Sequence, residues 1–436
     1  MPAGSTPFPF SIVGRKFTQK SGILELMDDL GRAATGCPDL LMLGGGNPAE
    51  VPEVRGLLRN RIRELVSEED TLDRALGTYD PPQGNPRFLE AMAALLRREF
   101  GWPVEPSNIA VTVGGQTAFF CLFNLLAGTS SAGRRRKILL ALCPEYIGYA
   151  AQGLEEGIFV ACRPDITWPE GPSRPVFKYQ INFSAVEEAL KREDIAAIAA
   201  SRPTNPTGNV LSDEEVSHLS RLAAHHGVPL ILDGAYGPPF PDLSFKPIRP
   251  FWQPHVILTL SLSKLGLPGV RTGIVVAPRE IVSALASFTA IMGLANPNLG
   301  QQLVLPWIED GSILEIGRRF LQPFYAAKSR AAAAAAADCF CGTGLEWALH
   351  AAEGTFFRWL WLRNLGVNSR ELYERLKARK VLTVPGDYFF FGLAEDWPHR
   401  HECLRLNIGQ PEGVVRQALT IIADEAARHR RPGANP

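Results

Sequence analysis

Ser261-Leu262-Ser263-Lys264-Leu265-Gly266-Leu267-Pro268-Gly269-Val270-Arg271-Thr272-Gly273 joins two short apolar runs, Val256 to Leu260 and Ile274 to Ala277, so a lone lysine stands where a buried strand empties into a loop. Taking an ammonium out of water disfavours its charged form, lowers its pKa and leaves a better nucleophile and base. That is the environment in which a lysine forms a Schiff base with a carbonyl group. Around it, two serine hydroxyls, the backbone near Gly266 and Gly269, and the planar guanidinium of Arg271 can converge on one dianion. Taken alone, the segment is also readable as a turn whose lysine and arginine are solvated, and the rest of the chain has to decide.

A Schiff-base lysine beside a phosphate cradle points to pyridoxal phosphate. The 436 residues, 46% of them hydrophobic, suffice for a sizeable core and for roughly two to three domains. Forty-five basic residues balance forty-five acidic ones, which offers no handle for nucleic acid or an anionic membrane and leaves a small-molecule substrate. The cysteines Cys37, Cys121, Cys143, Cys162, Cys339, Cys341 and Cys403 sit mostly in apolar runs and read as reduced core thiols. Cys339-Phe340-Cys341 is too close-set for a zinc pair and no histidine cluster accompanies it, so no metal site is expected. Met1 to Lys20 lacks an apolar signal core and no run reaches membrane-spanning length, so a cytoplasmic protein is expected.

The N-terminal arm turns amphipathic around Ile23, Leu24, Leu26, Met27 and Leu30, a helical spacing that has to pack on something. Leu41 to Leu43 reads as a short strand ending in Gly44-Gly45-Gly46, which is either a close approach of backbone to a ligand or a hinge. Tyr79 lies in a turn-rich loop before a helix over 86–100. From Ile109 onward short apolar runs alternate with helical segments. The strands are Ile109 to Val113, Ile138 to Cys143, Phe159 to Arg163, Ile195 to Ser201, Pro229 to Asp233, Val256 to Ser261 and Thr272 to Ala277. The helices include 117–127 and 213–226, the latter opened by a Ser212 and Glu215 capping box. Such alternation predicts an α/β fold with a mainly parallel, doubly wound sheet, whose ligands bind at the carboxyl ends of the strands. Gly114-Gly115-Gln116, Asn205-Pro206-Thr207-Gly208 and Asp233-Gly234-Ala235-Tyr236 all fall there, and the helix start at Gly115 can bind phosphate.

Beyond Ala277 a helical region runs through Ala331 to Ala337. Strands at 356–362, 381–384 and 403–408 and a helix at 371–380 follow, predicting a smaller α+β domain that the arm completes. The expected division is 1–47 arm, 48–325 large cofactor-binding domain and 326–436 small domain. Arg134 to Lys137 reads as a solvated loop and Arg428 to Pro436 as a disordered tail.

The ordered series Gly115-Gln116, Tyr146, Asn205-Pro206-Thr207-Gly208, Asp233 with Tyr236, Ser261 to Gly273 and Arg405 resembles fold-type I pyridoxal-phosphate aminotransferases over nearly the whole chain. Ser21-Gly22-Ile23, Leu43 to Pro48, Pro144 to Tyr149 and Ser261 to Gly269 look like the valine–pyruvate type. The resemblance implies that Lys264 forms the Schiff base and then shuttles the substrate proton. It also implies that Asp233 pairs with the pyridine nitrogen, Tyr236 and Asn205 bond the ring O3′, and Tyr146 stacks on the ring. Phosphate is expected at the Gly115 and Gln116 amides, Ser261, Ser263 and Arg271, with Tyr79 reaching in from the second subunit of a homodimer. The substrate carboxylate is expected on Arg405, helped by Asn205 and the Gly46 backbone. Two departures stand out: Gly115 stands where a hydroxyl residue is common, and the aromatic, acidic segment Pro385 to Gly392 is expected to line the substrate pocket.

The implied reaction is ping-pong transfer of nitrogen from an aliphatic L-amino acid, valine, to pyruvate, giving a 2-oxo acid and alanine. No second cation for a side-chain carboxylate is evident, which disfavours aspartate and glutamate. A C–S β-lyase shares every cofactor residue and is the enzymatic alternative, as is an aminotransferase of different substrate range. A regulator's cofactor-sensing domain needs a helix-turn-helix, for which the residues before Gly44 are too few and too proline-rich.

Overall fold

The computed structural model describes residues 9–19, 21–36 and 39–431; Cys37, the side chain of Leu30 and the end of the expected tail, 432–436, lie outside the described residues. Continuous apolar runs become strands buried on both faces. The large sheet holds β1 (Ile109–Thr112), β2 (Gly128–Thr129), β3 (Arg135–Leu140), β4 (Phe159–Ala161), β5 (Ile195–Ser201), β6 (Leu230–Asp233), β7 (Val256–Ser261) and β8 (Gly273–Val276). Its order is β1-β8-β7-β6-β5-β3-β2, with β4 beside β3. The central pairs β7 with β6, β6 with β5 and β5 with β3 are parallel, while β8 runs antiparallel to both β7 and β1. The α/β, mainly parallel class read from the sequence is the observed one.

Helix boundaries follow local chemistry. The helix Asp213–His225 starts on the Ser212 and Glu215 capping box, and the helix Pro86–Phe100 starts on an Asn85 cap with proline at its first position and ends on the left-handed Gly101. The alanine run lies in the helix Gln322–Phe340.

A six-stranded sheet is built from Glu346–His350, Phe357–Arg363, Val384–Pro385 and Cys403–Asn407 together with Asp165–Thr167 and Val176–Gln180. The last two come from the middle of the chain, and Val176 pairs with Leu349 in parallel. The arm joins this part of the molecule as expected: Leu41–Met42 pairs in parallel with Val381–Leu382. Its helix, α1 (Gly22–Gly36), is held to the C-terminal region by Glu25 with Tyr388 and Arg370 and by Asp29 with Tyr373 and Lys377. The helical face differs in detail from the expectation, because Leu26 is buried whereas Leu24 and Met27 are exposed.

Four readings are corrected. Arg134 to Lys137 is not a free loop: Arg134 and Arg136 pair with Asp194, Lys137 pairs with Glu193, and the strand begins at Arg135. The first residues of the expected tail are ordered, since the helix Glu412–Arg428 runs through Arg428 and Arg430 bridges to Leu365. Cys341 is exposed and Cys339 only partly covered, while Cys121, Cys143, Cys162 and Cys403 are buried. Phe389 and Phe390 are core residues rather than cavity walls. Among the described residues no helix is long and apolar enough to cross a membrane, and no cluster of potential metal ligands is found.

Candidate active site

Strand ends deliver the site. Asp233 closes β6, where its two sheet neighbours are Ser201 of β5 and Thr259 of β7. Ser261 closes β7, and the 3₁₀ turn Leu262–Leu265 that follows carries Lys264. Helix α2 (Gly114–Leu126) begins directly after β1. Its first amides have no partner within the helix and face the cavity with the positive end of the dipole. Arg405 reaches in from the strand Cys403–Asn407 of the other sheet.

One cavity is lined by Gly46, Gly115, Gln116, Tyr146, Asn205, Asp233, Tyr236, Ser261, Ser263, Lys264, Arg271 and Arg405. These are all the residues singled out from the sequence except Tyr79, which lies 78% exposed and away from it. The rest of the lining was not foreseen and is apolar apart from Ser201: Ile23, Leu26 and Met27 of α1, Phe119 of α2, Ile147, Pro203 and Ala235.

The Lys264 ammonium donates to the Gly46 carbonyl at 2.7 Å and lies 5.4 Å from the Tyr236 ring centre. Burial, reinforced by Arg405 and Arg271, brings its pKa down to about 8. Arg405 is 2% exposed and its guanidinium carbon sits 4.3 Å from the Phe357 ring centre. It donates to Asn205 Oδ1 at 3.0 Å and to the Gly44 carbonyl at 2.6 Å, while its Nε has no partner. Burial lowers its pKa to about 10, so it stays charged at neutral pH. Phe389 stacks behind it, 5.5 Å from the guanidinium, which is what the aromatic segment does instead of lining the cavity.

Asp233 accepts from the Ala235 amide at 2.9 Å, from Thr259 Oγ1 at 3.3 Å and from the Tyr149 hydroxyl. Burial raises its pKa, and these donors work against that rise. Tyr146 and Tyr236 have their phenol pKa values raised by burial. Gln116 is fixed by donation to the Gly148 carbonyl at 2.9 Å. Gly114 has φ +78, and a Cβ there would strike the Arg271 guanidinium, which makes glycine a requirement of the α2 start.

Tyr149 and Glu145 are two residues that sequence reasoning passed over. Both lie in the quoted Pro144 to Tyr149 segment, and the three-residue spacing from Tyr146 to Tyr149 across the turn Ile147–Tyr149 was the available signal.

The cavity therefore combines three cations, Lys264, Arg271 and Arg405, with a helix start and a single carboxylate among its lining residues. That set fits pyridoxal 5′-phosphate with an amino acid: an orphaned guanidinium nitrogen and unpaired helix amides call for anions, and a buried carboxylate calls for a cationic ring nitrogen.

The model of aminotransferase class I and II matches residues 158–422. The valine–pyruvate aminotransferase of Escherichia coli (strain K12) is 43% identical over 421 residues, covering 96% of this chain and 98% of the relative. The crystal structure of valine-pyruvate aminotransferase from Salmonella typhimurium LT2 superposes with a TM-score of 0.83 at 41% identity, covering 93% and 98% of the two chains. A protein of Psychrobacter arcticum 273-4 assigned as an amino-acid aminotransferase gives a TM-score of 0.93 at 38% identity, covering 97% and 99%. With a buried lysine brought down to about pKa 8 beside Arg271 and Arg405, and a 43% identical relative over 96% of its length, the chain belongs to the class I and II aminotransferases, enzymes that work with pyridoxal 5′-phosphate.

Proposed function

We propose that the protein transfers the amino group of an aliphatic L-amino acid, valine, to pyruvate, giving the 2-oxo acid and alanine. One observation carries this reading: the buried Arg405 fork stands beside an apolar wall of Ile23, Leu26, Phe119 and Ile147, and among the described residues no cation besides Lys264 and Arg271 joins it in lining the cavity. An α-carboxylate has its anchor, an alkyl side chain has a surface to cover, and a side-chain carboxylate has nothing to meet.

Gly115, Gln116, Ser261, Ser263 and Arg271 would hold the phosphate, and Tyr146 the ring face. Tyr236 and Asn205 would bond the ring oxygen and Asp233 the ring nitrogen. When bound, the cofactor supplies an electron sink for the pair left at the substrate Cα. Lys264 Nζ would take the substrate Cα proton and give it back later in the transfer; an amine of pKa about 8 is suited to both directions. Arg405, with the Gly46 carbonyl fixing Lys264 in the ligand-free site, orients the substrate carboxylate. Ile23 and Leu26 keep water off the reacting carbon.

In this reading the enzyme is a cytoplasmic homodimer of amino acid biosynthesis, and the partner subunit's Tyr79 completes the phosphate site. The chain divides into the arm 1–47, a large domain 48–325 and a small domain 326–436, with 165–180 reaching across to the small sheet.

The test is the visible spectrum of the purified holoenzyme. The expected result is bleaching of the cofactor band with L-valine and its return with pyruvate, alanine appearing in step. Release of ammonia and pyruvate from a cystathionine-like substrate with no oxo-acid requirement would replace transamination by C–S lysis.

A further inference from the structure

Asp233 has three donors, unevenly shared between its two oxygens. Oδ1 accepts from the Ala235 amide at 2.9 Å, in the turn that leaves β6, and from Thr259 Oγ1 at 3.3 Å, on the neighbouring strand β7. Oδ2 accepts from the Tyr149 hydroxyl, its one donor among the described residues. A carboxylate offers about four lone-pair sites, two on each oxygen. Oδ1 is therefore full, and the site left open lies on Oδ2, the oxygen that Tyr149 holds.

Tyr149 does not line the cavity; it is 2% exposed and stands behind the wall. Its ring is wedged against Phe119 and Phe123, one turn apart on α2, with ring centres 4.5 and 5.2 Å away, and it meets the Tyr146 ring edge-on at 5.2 Å. The turn that carries it is tied down where it begins. There the buried Glu145 accepts from the Tyr146 amide at 3.2 Å and from the Ser201 amide at 2.8 Å, and Ser201 is the cross-strand neighbour of Asp233. Helix, turn and sheet together decide where the hydroxyl sits. Burial pushes the Tyr149 phenol well above its ordinary pKa, so the hydroxyl keeps the proton it donates.

We propose that Tyr149 is a positioning residue of the catalytic centre, whose hydroxyl sets the plane of the Asp233 carboxylate and so aims the open site of Oδ2 at the ring nitrogen of the cofactor. The last torsion of an aspartate has broad wells, so the carboxylate turns easily unless both oxygens are held. The two donors on Oδ1 act at one point and leave a pivot. The hydroxyl on Oδ2 supplies the second point and stops the rotation. Without it the charge-assisted bond to the ring nitrogen loses its alignment. The substrate carboxylate, by contrast, rests on Arg405, which Tyr149 does not touch.

This inference rests on the reading that Asp233 meets the ring nitrogen, and the experiment separates the two. Tyr149→Phe, Thr259→Val, Asp233→Asn and the double variant Tyr149→Phe/Asp233→Asn are compared by the dissociation constant of pyridoxal phosphate, by the visible band of the bound cofactor, and by kcat and KM. Phe keeps the aromatic ring of Tyr149, and a thermal melt confirms that the variant is folded. The expected result is Tyr149→Phe binding cofactor roughly tenfold more weakly, with a shifted band and a lower kcat but KM for the amino acid within about threefold. Thr259→Val strips a donor from Oδ1, where the Ala235 amide remains, and should stay within about threefold of the wild type throughout.

In the Asp233→Asn background the Phe substitution should add little, because the group being positioned has been altered. Wild-type affinity, band and kcat in Tyr149→Phe, with Asp233→Asn impaired, would overturn the proposal and leave Asp233 in its role. Equal losses from Phe with and without Asp233 would overturn it too, showing a packing role only. Losses in Thr259→Val as large as those in Tyr149→Phe would overturn the assignment of Oδ2, since any donor would then count alike. Full cofactor affinity and turnover in Asp233→Asn alone would remove Asp233 from the ring nitrogen, and the proposal with it.

Discussion

Lys264 is the residue on which the chemistry turns, and its environment makes two separate demands. For turnover, Lys264→Ala should leave a folded protein whose rate falls more than about 10³-fold, since among the described residues no other amine lines the cavity; single-turnover absorbance measurements check this. For stability the sign is opposite. A lysine whose folded pKa lies near 8, against 10.5 when unfolded, binds fewer protons in the native state between those values, so ligand-free wild type should gain stability as pH rises from 8 to 10.5. Lys264→Met should flatten that dependence and stabilise the cofactor-free protein at pH 7, as read by urea titration.

Glu145 tilts the balance the other way: held near 8 against 4.5 unfolded, it binds an extra proton when folded. Stability should therefore fall from pH 5 to pH 8, by on the order of 1 kcal/mol per pH unit relative to Glu145→Gln. The charged or titratable neighbours that set this are Asp233, Tyr149 and Cys143. Arg405→Lys keeps a positive charge but loses the fork, and should raise KM for the amino acid roughly 10- to 100-fold while cofactor affinity stays put. At this scale the sequence was readable where a motif is contiguous, as around Lys264, Asn205 and Asp233. Glu145 and Tyr149 were not, because their partners Ser201 and Asp233 lie more than fifty residues away and meet them only across the sheet.

At the scale of the element, the start of α2 is the most constrained junction. Gly114→Ala must move the Arg271 guanidinium and strain a residue at φ +78, so cofactor affinity should drop tenfold or more while the melting temperature shifts by only a few degrees, for a cost of about 1–2 kcal/mol. Fluorescence titration with pyridoxal phosphate and a thermal melt separate the two effects. Capping signals were legible here: Ser212 with Glu215 opened a helix where the pattern placed it. Charge was the misleading signal. Arg134 to Lys137 has the composition of a loop, yet Arg134, Arg136 and Lys137 pair with Glu193 and Asp194 from the approach to β5, and paired charges are compatible with a sheet edge. The aromatic run Phe389 to Phe391 misled for a related reason: aromatic rings suit a pocket wall and a guanidinium backing equally well, and only the fold distinguishes them.

At the scale of the whole molecule, the fold class came through because strands buried on both faces are continuous apolar runs, which no helix of that length requires. The destination of Val176–Gln180 did not, since nothing in five residues tells which of two sheets they will join. The exposed Tyr79, together with exposed Ile291, Met292 and Leu294, suits a surface covered by a second copy. Mixing a Lys264→Ala chain with a Tyr79→Ala chain should then restore activity through hybrid dimers carrying one intact site, and sedimentation of the wild type should give twice the chain mass.

The pairing of Leu41–Met42 with Val381–Leu382 also bears on how the protein is made. On a ribosome the arm has no strand to join until some 340 residues after it emerges, when its partner leaves the exit tunnel. The large sheet can close beforehand, whereas Gly46, Lys264 and Arg405 come together only once the strand carrying Arg405 has emerged. Folding of this enzyme therefore has a late, long-range step, during which the apolar side of the arm is unshielded and open to chaperones or to aggregation.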